Sequence, residues 1–191
     1  MILLDLFESL WINLLYHGTE HDFDPRHIKP GSHFGTLKSA TDRIRLSPMR
    51  SAQQKKHELN NERYVEHKIF AFEYEPSGKM IETPDIYGDG EKASILDLAK
   101  HLIKQKILNK SVYDRINLLD DNEQAGLLMK GFLKEKGITY IKYRNEQEGI
   151  KYNSQNFKIM PVSWIIFDTE NLNLVHTFKN PNEIYRIYRQ R

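Results

Sequence analysis

A block of three consecutive helical patterns, set between segments that read as strands, constrains the fold more than any other feature of this sequence. The helical patterns cover residues 92–107, 111–119 and 122–136, and Gly137 follows the third where a helix-ending glycine is favoured. Strand patterns lie at residues 11–17, 67–74, 138–143 and 162–167. Because helices and strands are grouped rather than regularly alternating, the order predicts an α+β domain.

Turn and cap signals lie between these patterns. Gly18 is expected to end the first strand, and Thr36 to cap a helix that runs through Ala40. Residues 76–90 are expected to form a loop. Along the second strand the side chains are expected to alternate between two faces, Ile69 and Ala71 on one and Phe70, Phe72 and Tyr74 on the other.

The chain is expected to form one domain with a short addition at each end. Its 191 residues suit a single domain at 11–178, with the helical patterns at about 92–136 as an insertion. Residues 1–10 are predicted to form an amphipathic helix, and residues 179–191 a basic tail.

Composition excludes several classes of function. The absence of cysteine excludes a disulfide scaffold, a thiolate nucleophile and a cysteine-ligated metal. A net charge of only +2 gives no support to a nucleic-acid partner. Asp5 and Glu8 interrupt the apolar N-terminus, which lacks the basic residues of a secretory signal and the length of a membrane span. We therefore expect no nucleic-acid or membrane partner, and a location in the cytoplasm or in a target cell reached without a recognisable signal peptide.

The first motif with candidate chemistry is His17-Gly18-Thr19, at the end of the first strand. A glycine here lets another molecule approach the backbone, so that its N–H and C=O can pair with a flat amide. The imidazole and the hydroxyl on either side can bind sugar hydroxyls. Taken alone, the histidine also fits an ordinary turn residue.

The second motif places His33 and Phe34 between two glycines, immediately before the helix that Thr36 is expected to cap. The glycines leave room for a flat ligand to stack on either ring, and a helix N-terminus favours an anionic group. The spacing is neither that of a phosphate-binding P-loop nor that of a dinucleotide-binding fingerprint. A turn with Phe34 in the core is the alternative interpretation.

The third motif is a pair of carboxylates, Glu146 and Glu148, which follows the strand pattern at 138–143. Alternate side chains of an extended segment share a face, so the two carboxylates would point the same way. Such a pair can act as a general base, stabilise a developing positive charge or bind a metal. An exposed acidic turn is the alternative interpretation.

Together the three motifs resemble those of the ADP-ribosyltransferases. The His-Gly-Thr at residues 17–19 is similar to the first motif of the diphtheria-toxin and poly-ADP-ribose-polymerase branch. Residues 31–36 resemble its second motif, with His33 where tyrosine is usual, and the Tyr-x-Asn-x-x-Glu at 143–148 resembles its third. The likeness spans residues 11–168 and implies a split mixed β-sheet core with an inserted helical block.

The resemblance implies that the chain cleaves nicotinamide from NAD and transfers ADP-ribose to a protein side chain. The residues implied to bind NAD are His17, Gly18, Thr19, His33, Phe34 and Thr36. His17 would hold the adenosine ribose, and the Gly18 backbone would pair with the nicotinamide carboxamide. Either ring of the second motif would stack on nicotinamide, and the two threonines would be secondary polar contacts.

Two carboxylates are the implied catalytic residues. Glu148 would bond a hydroxyl of the nicotinamide ribose and stabilise the developing cation, and Glu146 would orient or deprotonate the acceptor. The Glu-x-Glu spacing resembles that of arginine-specific transferases, which makes arginine the candidate acceptor, although those enzymes carry arginine rather than histidine in the first motif. The resemblance implies no metal. We expect a monomer that acts on a target protein, such as a host or metabolic enzyme, as a toxin or effector does.

Other classes of function stay open. A non-catalytic module would bind NAD, or a partner, without releasing nicotinamide. A metal-dependent hydrolase built on His17, His21, Glu146 and Glu148 would hold stoichiometric zinc, but the glycine after His17 disrupts the helical geometry that its histidine spacing needs. An RNA-directed relative would bind RNA with a steep salt dependence.

Overall fold

The computed structural model describes residues 14–19, 24–46, 68–86, 91–146, 151–152, 158–159 and 161–178. The strands are β1 (Leu14–Thr19), β2 (Ser32–Phe34), β3 (Lys68–Tyr74), β4 (Lys79–Thr83), β5 (Ile138–Arg144), β6 (Lys151–Tyr152), β7 (Lys158–Ile159), β8 (Val162–Ile166) and β9 (Leu172–Phe178). The α-helices are α1 (Leu37–Leu46), α2 (Glu91–Lys104), α3 (Lys110–Asn117) and α4 (Asn122–Lys134). This mixture confirms the predicted α+β class.

The strands of the described residues form two main sheets and one small pair. Strands β1, β3 and β9 form an antiparallel sheet with β3 in the centre. The second sheet has the order β2-β8-β5-β4, in which only β4 and β5 run parallel. Strands β6 and β7 pair with each other. The third motif therefore leaves β5 from the middle of the four-stranded sheet.

An aromatic core lies between the two main sheets. The buried side chains of this core are Leu15, Phe34, Phe70, Phe72, Tyr74 and Ile166. Ile69 points to the opposite face of β3, where it packs with Ala40 and Ile44 of α1. The alternation predicted for β3 is therefore confirmed, and apolar side chains cover both faces because the strand lies between a sheet and a helix.

The three-helix block connects β4 to β5. Parallel strands cannot be joined by a tight turn, so the chain needs a long crossover here, and the helices supply it. Their buried side chains include Leu98, Leu102, Ile116, Met129 and Leu133, which share one core cluster with Ile141 and Ile165 of the sheet. Burial of each such side chain contributes roughly 1.5–3 kcal/mol, so the block is a main part of the core.

The helix boundaries agree closely with the sequence patterns. The block begins at Glu91 and ends at Lys134, and Gly137 has a φ of +69° in the turn that leads into β5. A left-handed residue at this point is the usual way for a helix to end. Within the described residues, no helix combines the length and the apolar content that crossing a membrane requires.

Several elements differ from the sequence predictions. Strand β1 continues through Gly18 to Thr19 instead of ending at the glycine, and α1 extends past Ala40 to Leu46. Strand β4 lies within the predicted loop, while β2 and β9 were not predicted. These strands are short or largely exposed and depend on distant partners, so local patterns do not indicate them. The predicted terminal helix at 1–10 and tail at 179–191 lie outside the described residues.

Candidate functional site

The first two motifs meet where the two main sheets touch. The Tyr16 N–H donates to the Gly35 carbonyl at 3.0 Å, and the Gly35 N–H donates to the Tyr16 carbonyl at 2.9 Å. This reciprocal pair is a single antiparallel bridge between β1 and the end of β2. It joins the two sheets beside the His-Gly-Thr motif.

The bridge determines which way the Gly18 backbone faces. In a strand, the N–H and C=O of one residue point to the same edge, and those of the residue two positions further on point there too. Because Tyr16 bonds Gly35, the N–H and C=O of Gly18 also face β2 rather than β3. The first motif thus presents a backbone donor and acceptor toward the junction of the sheets.

The imidazole of His17 replaces the next hydrogen bond of that ladder. In an antiparallel ladder that continued from the Tyr16–Gly35 pair, Gly18 would pair with His33, because each is two residues further along its strand. Instead, the Nδ1 of His17 bonds the His33 carbonyl oxygen at 2.7 Å. The ladder therefore separates after one bridge, which leaves the Gly18 backbone edge at a split between the sheets.

The bonding of His17 defines its tautomer. A carbonyl oxygen can only accept, so Nδ1 must carry the proton, and Nε2 then carries the lone pair of a neutral ring. Burial lowers the pKa of His17, and the positive charge of Arg43 lowers it further, while the bond to the His33 carbonyl opposes this in part. At neutral pH, Nε2 of His17 is thus a hydrogen-bond acceptor.

His33 connects the second motif to the third. Its Nδ1 lies 2.9 Å from the Tyr143 hydroxyl, and the two rings meet edge to face with centroids 5.7 Å apart. Burial lowers the pKa of His33 to about 4, the positive charge of Arg43 lowers it further, and so does His17 when it is protonated. As a residue, His33 is half-buried, and Tyr143 sets the orientation of its neutral imidazole.

Phe34, in contrast, is a core residue. Its side chain is 2% exposed, and its ring packs against His17 and Phe72 at centroid distances of 5.5 and 5.7 Å. The two rings of the second motif point to opposite faces of β2, as strand geometry requires. Of the two candidate stacking residues, only His33 is therefore not fully buried in this structure.

The small residues of the first two motifs have structural functions here. A Cβ on Gly18 would lie 2.4 Å from the Ala40 carbonyl oxygen, so the close approach that this glycine permits is that of α1. Thr36 caps α1, as predicted, because its Oγ1 accepts from the Ser39 N–H at 3.1 Å. Thr19 is buried, with 7% exposure.

After β5, the third motif enters a turn that is held by hydrogen bonds to the chain at the start of β8. Asn145 is buried, its N–H donates to the Pro161 carbonyl at 2.9 Å, and its Nδ2 donates to the Ser163 Oγ at 3.2 Å. Glu146 is exposed and lies in a bend after the end of β5. Glu148 lies outside the described residues, so the shared face of the two carboxylates stays a prediction.

Sequence patterns missed Asp85 beside this site. They placed Arg43 only within a run of basic residues at 43–56, which fits either a solvated face or a docking site for a partner or an anionic ligand. Asp85 follows β4, and its carboxylate accepts from the backbone N–H of Glu146 at 2.9 Å. Arg43 of α1 lies close enough to the two imidazoles to lower their pKa. Asp85 lay in a predicted loop and Arg43 in a basic stretch, so only the pairing of β4 with β5 and the packing of α1 on β1 reveal them.

A cavity of about 190 Å³ lies at the opposite end of the four-stranded sheet. Asp168 lines it and bonds the Tyr74 hydroxyl, the Ser77 N–H and hydroxyl, and Asn171. This buried carboxylate ties together the ends of β3 and β8. Its bonds are those of a structural network, distant from the three motifs.

The low pKa of His33 predicts a pH-dependent stability. Since its folded pKa of about 4 lies below its ordinary value of 6.5, the unfolded chain binds a proton first as the pH falls. The free energy of unfolding should therefore fall by about 3 kcal/mol between these two pH values. Urea unfolding of His33→Asn should show a smaller fall than the wild type, with His176→Asn, an exposed histidine of β9, as the control. Equal falls in the wild type and His33→Asn would contradict this assignment.

The described residues contain no group of three histidine, aspartate or glutamate side chains placed to hold a metal ion. Two of the four residues in the metal hypothesis, His21 and Glu148, lie outside that part of the chain. No protein-family model, curated protein or solved structure matches this chain. A functional assignment therefore depends on the motifs and on the geometry around them.

Proposed function

We propose that this protein is a mono-ADP-ribosyltransferase of the ADP-ribosyltransferase fold, which uses NAD as a substrate and modifies a protein side chain. The observation that carries the proposal is the Gly18 backbone edge, which faces the split between the sheets beside His17 and His33. The first two motifs meet here, and Tyr143 of the third motif contacts His33.

The Gly18 edge suits the nicotinamide carboxamide. A primary carboxamide is flat and offers one acceptor oxygen and an N–H donor on the same side. The C=O and N–H of Gly18 are the complementary pair, and both face the split. The ring of His33, held by Tyr143, supplies a surface for the nicotinamide ring to stack on.

His17 suits a ribose hydroxyl. Its Nδ1 proton is committed to the His33 carbonyl, so its Nε2 accepts from a hydroxyl donor. The lowered pKa of His17 keeps this ring uncharged at neutral pH, as an acceptor requires. Arg43 adds positive charge on the same side, which favours the diphosphate of NAD.

The proposed reaction breaks the bond between the ribose C1′ and the nicotinamide nitrogen. The bonding electron pair leaves with nicotinamide, which becomes neutral, and positive charge develops on the ribose. A lone pair of the acceptor then bonds C1′, and the acceptor loses a proton. Glu148 would stabilise the positive charge, and Glu146, exposed at the turn, would accept the proton from an acceptor such as arginine.

The direct test uses NAD labelled in its adenylate part. The purified protein, incubated with this NAD and a cell lysate, should release nicotinamide and transfer label to protein. Slow removal of the label by neutral hydroxylamine would support an arginine acceptor, because an ester of aspartate or glutamate would lose the label fast. NAD binding without nicotinamide release would instead identify a non-catalytic module and contradict the proposal.

Glu146→Ala should separate the two half-reactions. Loss of this exposed carboxylate should leave NAD hydrolysis within about threefold of wild type and reduce transfer to protein by about 10²-fold, because general-base catalysis typically contributes 10²–10⁴-fold. Both rates are measured on the same preparation, as released nicotinamide and as protein-bound label. Equal losses in the two rates would show that Glu146 does not act on the acceptor.

A further inference from the structure

Asp85 connects the chain after β4 to the turn of the third motif. Strands β4 and β5 run parallel with Thr83 opposite Tyr143, so their carboxyl ends lie side by side. Two residues beyond β4, the carboxylate of Asp85 accepts from the Glu146 N–H at 2.9 Å through Oδ2 and from the Ile86 N–H at 2.9 Å through Oδ1. It is the link between these two adjacent chain segments.

This carboxylate is held in an unfavourable environment. Asp85 is 7% exposed, and burial raises its pKa; the negative charges of Glu146 and Asp97 act in the same direction. Burying a carboxylate costs free energy unless hydrogen bonds compensate, and here two backbone N–H groups do so. One of these two N–H groups is that of Glu146, the first carboxylate residue of the third motif.

We propose that Asp85 is a positioning residue, whose carboxylate holds the turn at Glu146 and thereby orients the Glu146 carboxylate. The catalytic part of this inference rests on the proposed function. A displacement of a reacting group by about 1 Å can cost about 10²-fold in rate, so a bond that holds this turn affects turnover without touching the substrate.

The test compares Asp85→Asn with Asp168→Asn. Both residues are buried aspartates that accept backbone N–H bonds, but Asp168 lies at the opposite end of the sheet. The amide of Asp85→Asn cannot accept through both atoms, so the Glu146 amide hydrogen should exchange faster than in the wild type by at least about tenfold. The rate of ADP-ribose transfer to protein should fall about 10- to 100-fold, while NAD hydrolysis stays within about threefold of wild type.

The control should behave differently. Asp168→Asn should lower the melting temperature while leaving the Glu146 exchange rate and the rate of transfer to protein per folded molecule unchanged. Should Asp85→Asn not fold, Asp85→Ser, which keeps one acceptor oxygen and removes the charge, replaces it in every measurement.

Each outcome is decisive. Unchanged exchange at Glu146 in the Asp85 variant would overturn the inference whatever the activity. Faster exchange with an unchanged rate of transfer to protein would show that the bond holds the turn but does not position Glu146 for the reaction, which also overturns the inference. A wild-type protein that does not turn over NAD would overturn the proposed function and the catalytic part of the inference, while the exchange data would still decide whether Asp85 holds the turn.

Discussion

Replacement of Glu148 by glutamine is expected to reduce nicotinamide release from NAD by about 10²–10³-fold, the typical effect of removing one group that stabilises transition-state charge. Glutamine has nearly the same shape as glutamate but lacks the negative charge that would face the developing ribose cation. The folded state should be retained. The measurements are nicotinamide release at saturating NAD and the melting temperature of each protein.

Two comparisons make the Glu148 result specific. Glu135→Gln removes a negative charge from an exposed position at the end of α4 and should leave turnover unchanged. Glu146→Ala, two residues from Glu148, should retain hydrolysis. Full activity of Glu148→Gln would overturn the assignment of the catalytic glutamate and, with it, the third motif as the family's catalytic motif.

Replacement of Gly18 by alanine is expected to disturb both stability and NAD use. The new Cβ would lie 2.4 Å from the Ala40 carbonyl oxygen and 3.1 Å from a side-chain carbon of Ile44, so β1 or α1 must move. Forcing atoms into a packed interior typically costs about 1–3 kcal/mol. The same movement displaces the backbone edge proposed to bind nicotinamide, so KM for NAD should rise. Denaturant unfolding and steady-state kinetics measure the two effects.

Gly131→Ala is the matched control for Gly18. This glycine lies in α4, and a Cβ there would meet no atom within 4 Å. Alanine is favoured over glycine in a helix by roughly 0.5–1 kcal/mol, so this variant should be more stable than the wild type and equally active. If Gly18→Ala matched the wild type in stability, α1 would not pack against β1 at this distance.

The fold divides into parts that local patterns predict and parts that they do not. Helices α2 to α4 follow from their periodicity and from the glycine at 137, and β3 from its alternation. Strand β4 has one buried side chain, Thr83, in five residues, and it is a strand because β5 lies beside it. Pairing with a distant strand leaves little local signal when most side chains stay exposed.

The candidate site also has residues that the sequence indicates and residues that only the structure reveals. Residue types and spacing identified His17, Gly18 and His33 as candidates, and the structure places them at one junction. Spacing could not distinguish His33 from Phe34, because the two alternate along one strand and only the packing of β2 decides which ring is buried. No sequence pattern indicated a role for Asp85, because its hydrogen-bond partner Glu146 lies 61 residues away in the chain.

By itself, the sequence determined the α+β class, the helical block and the identity of three short motifs, because periodicity and glycine placement act over a few residues. Only the tertiary structure decided that the sheets separate beside Gly18, that His17 is a neutral acceptor at Nε2 and that the Asp85 carboxylate accepts from the Glu146 N–H. Hydrogen-bond direction and burial arise from residues brought together by folding, and no local pattern contains them.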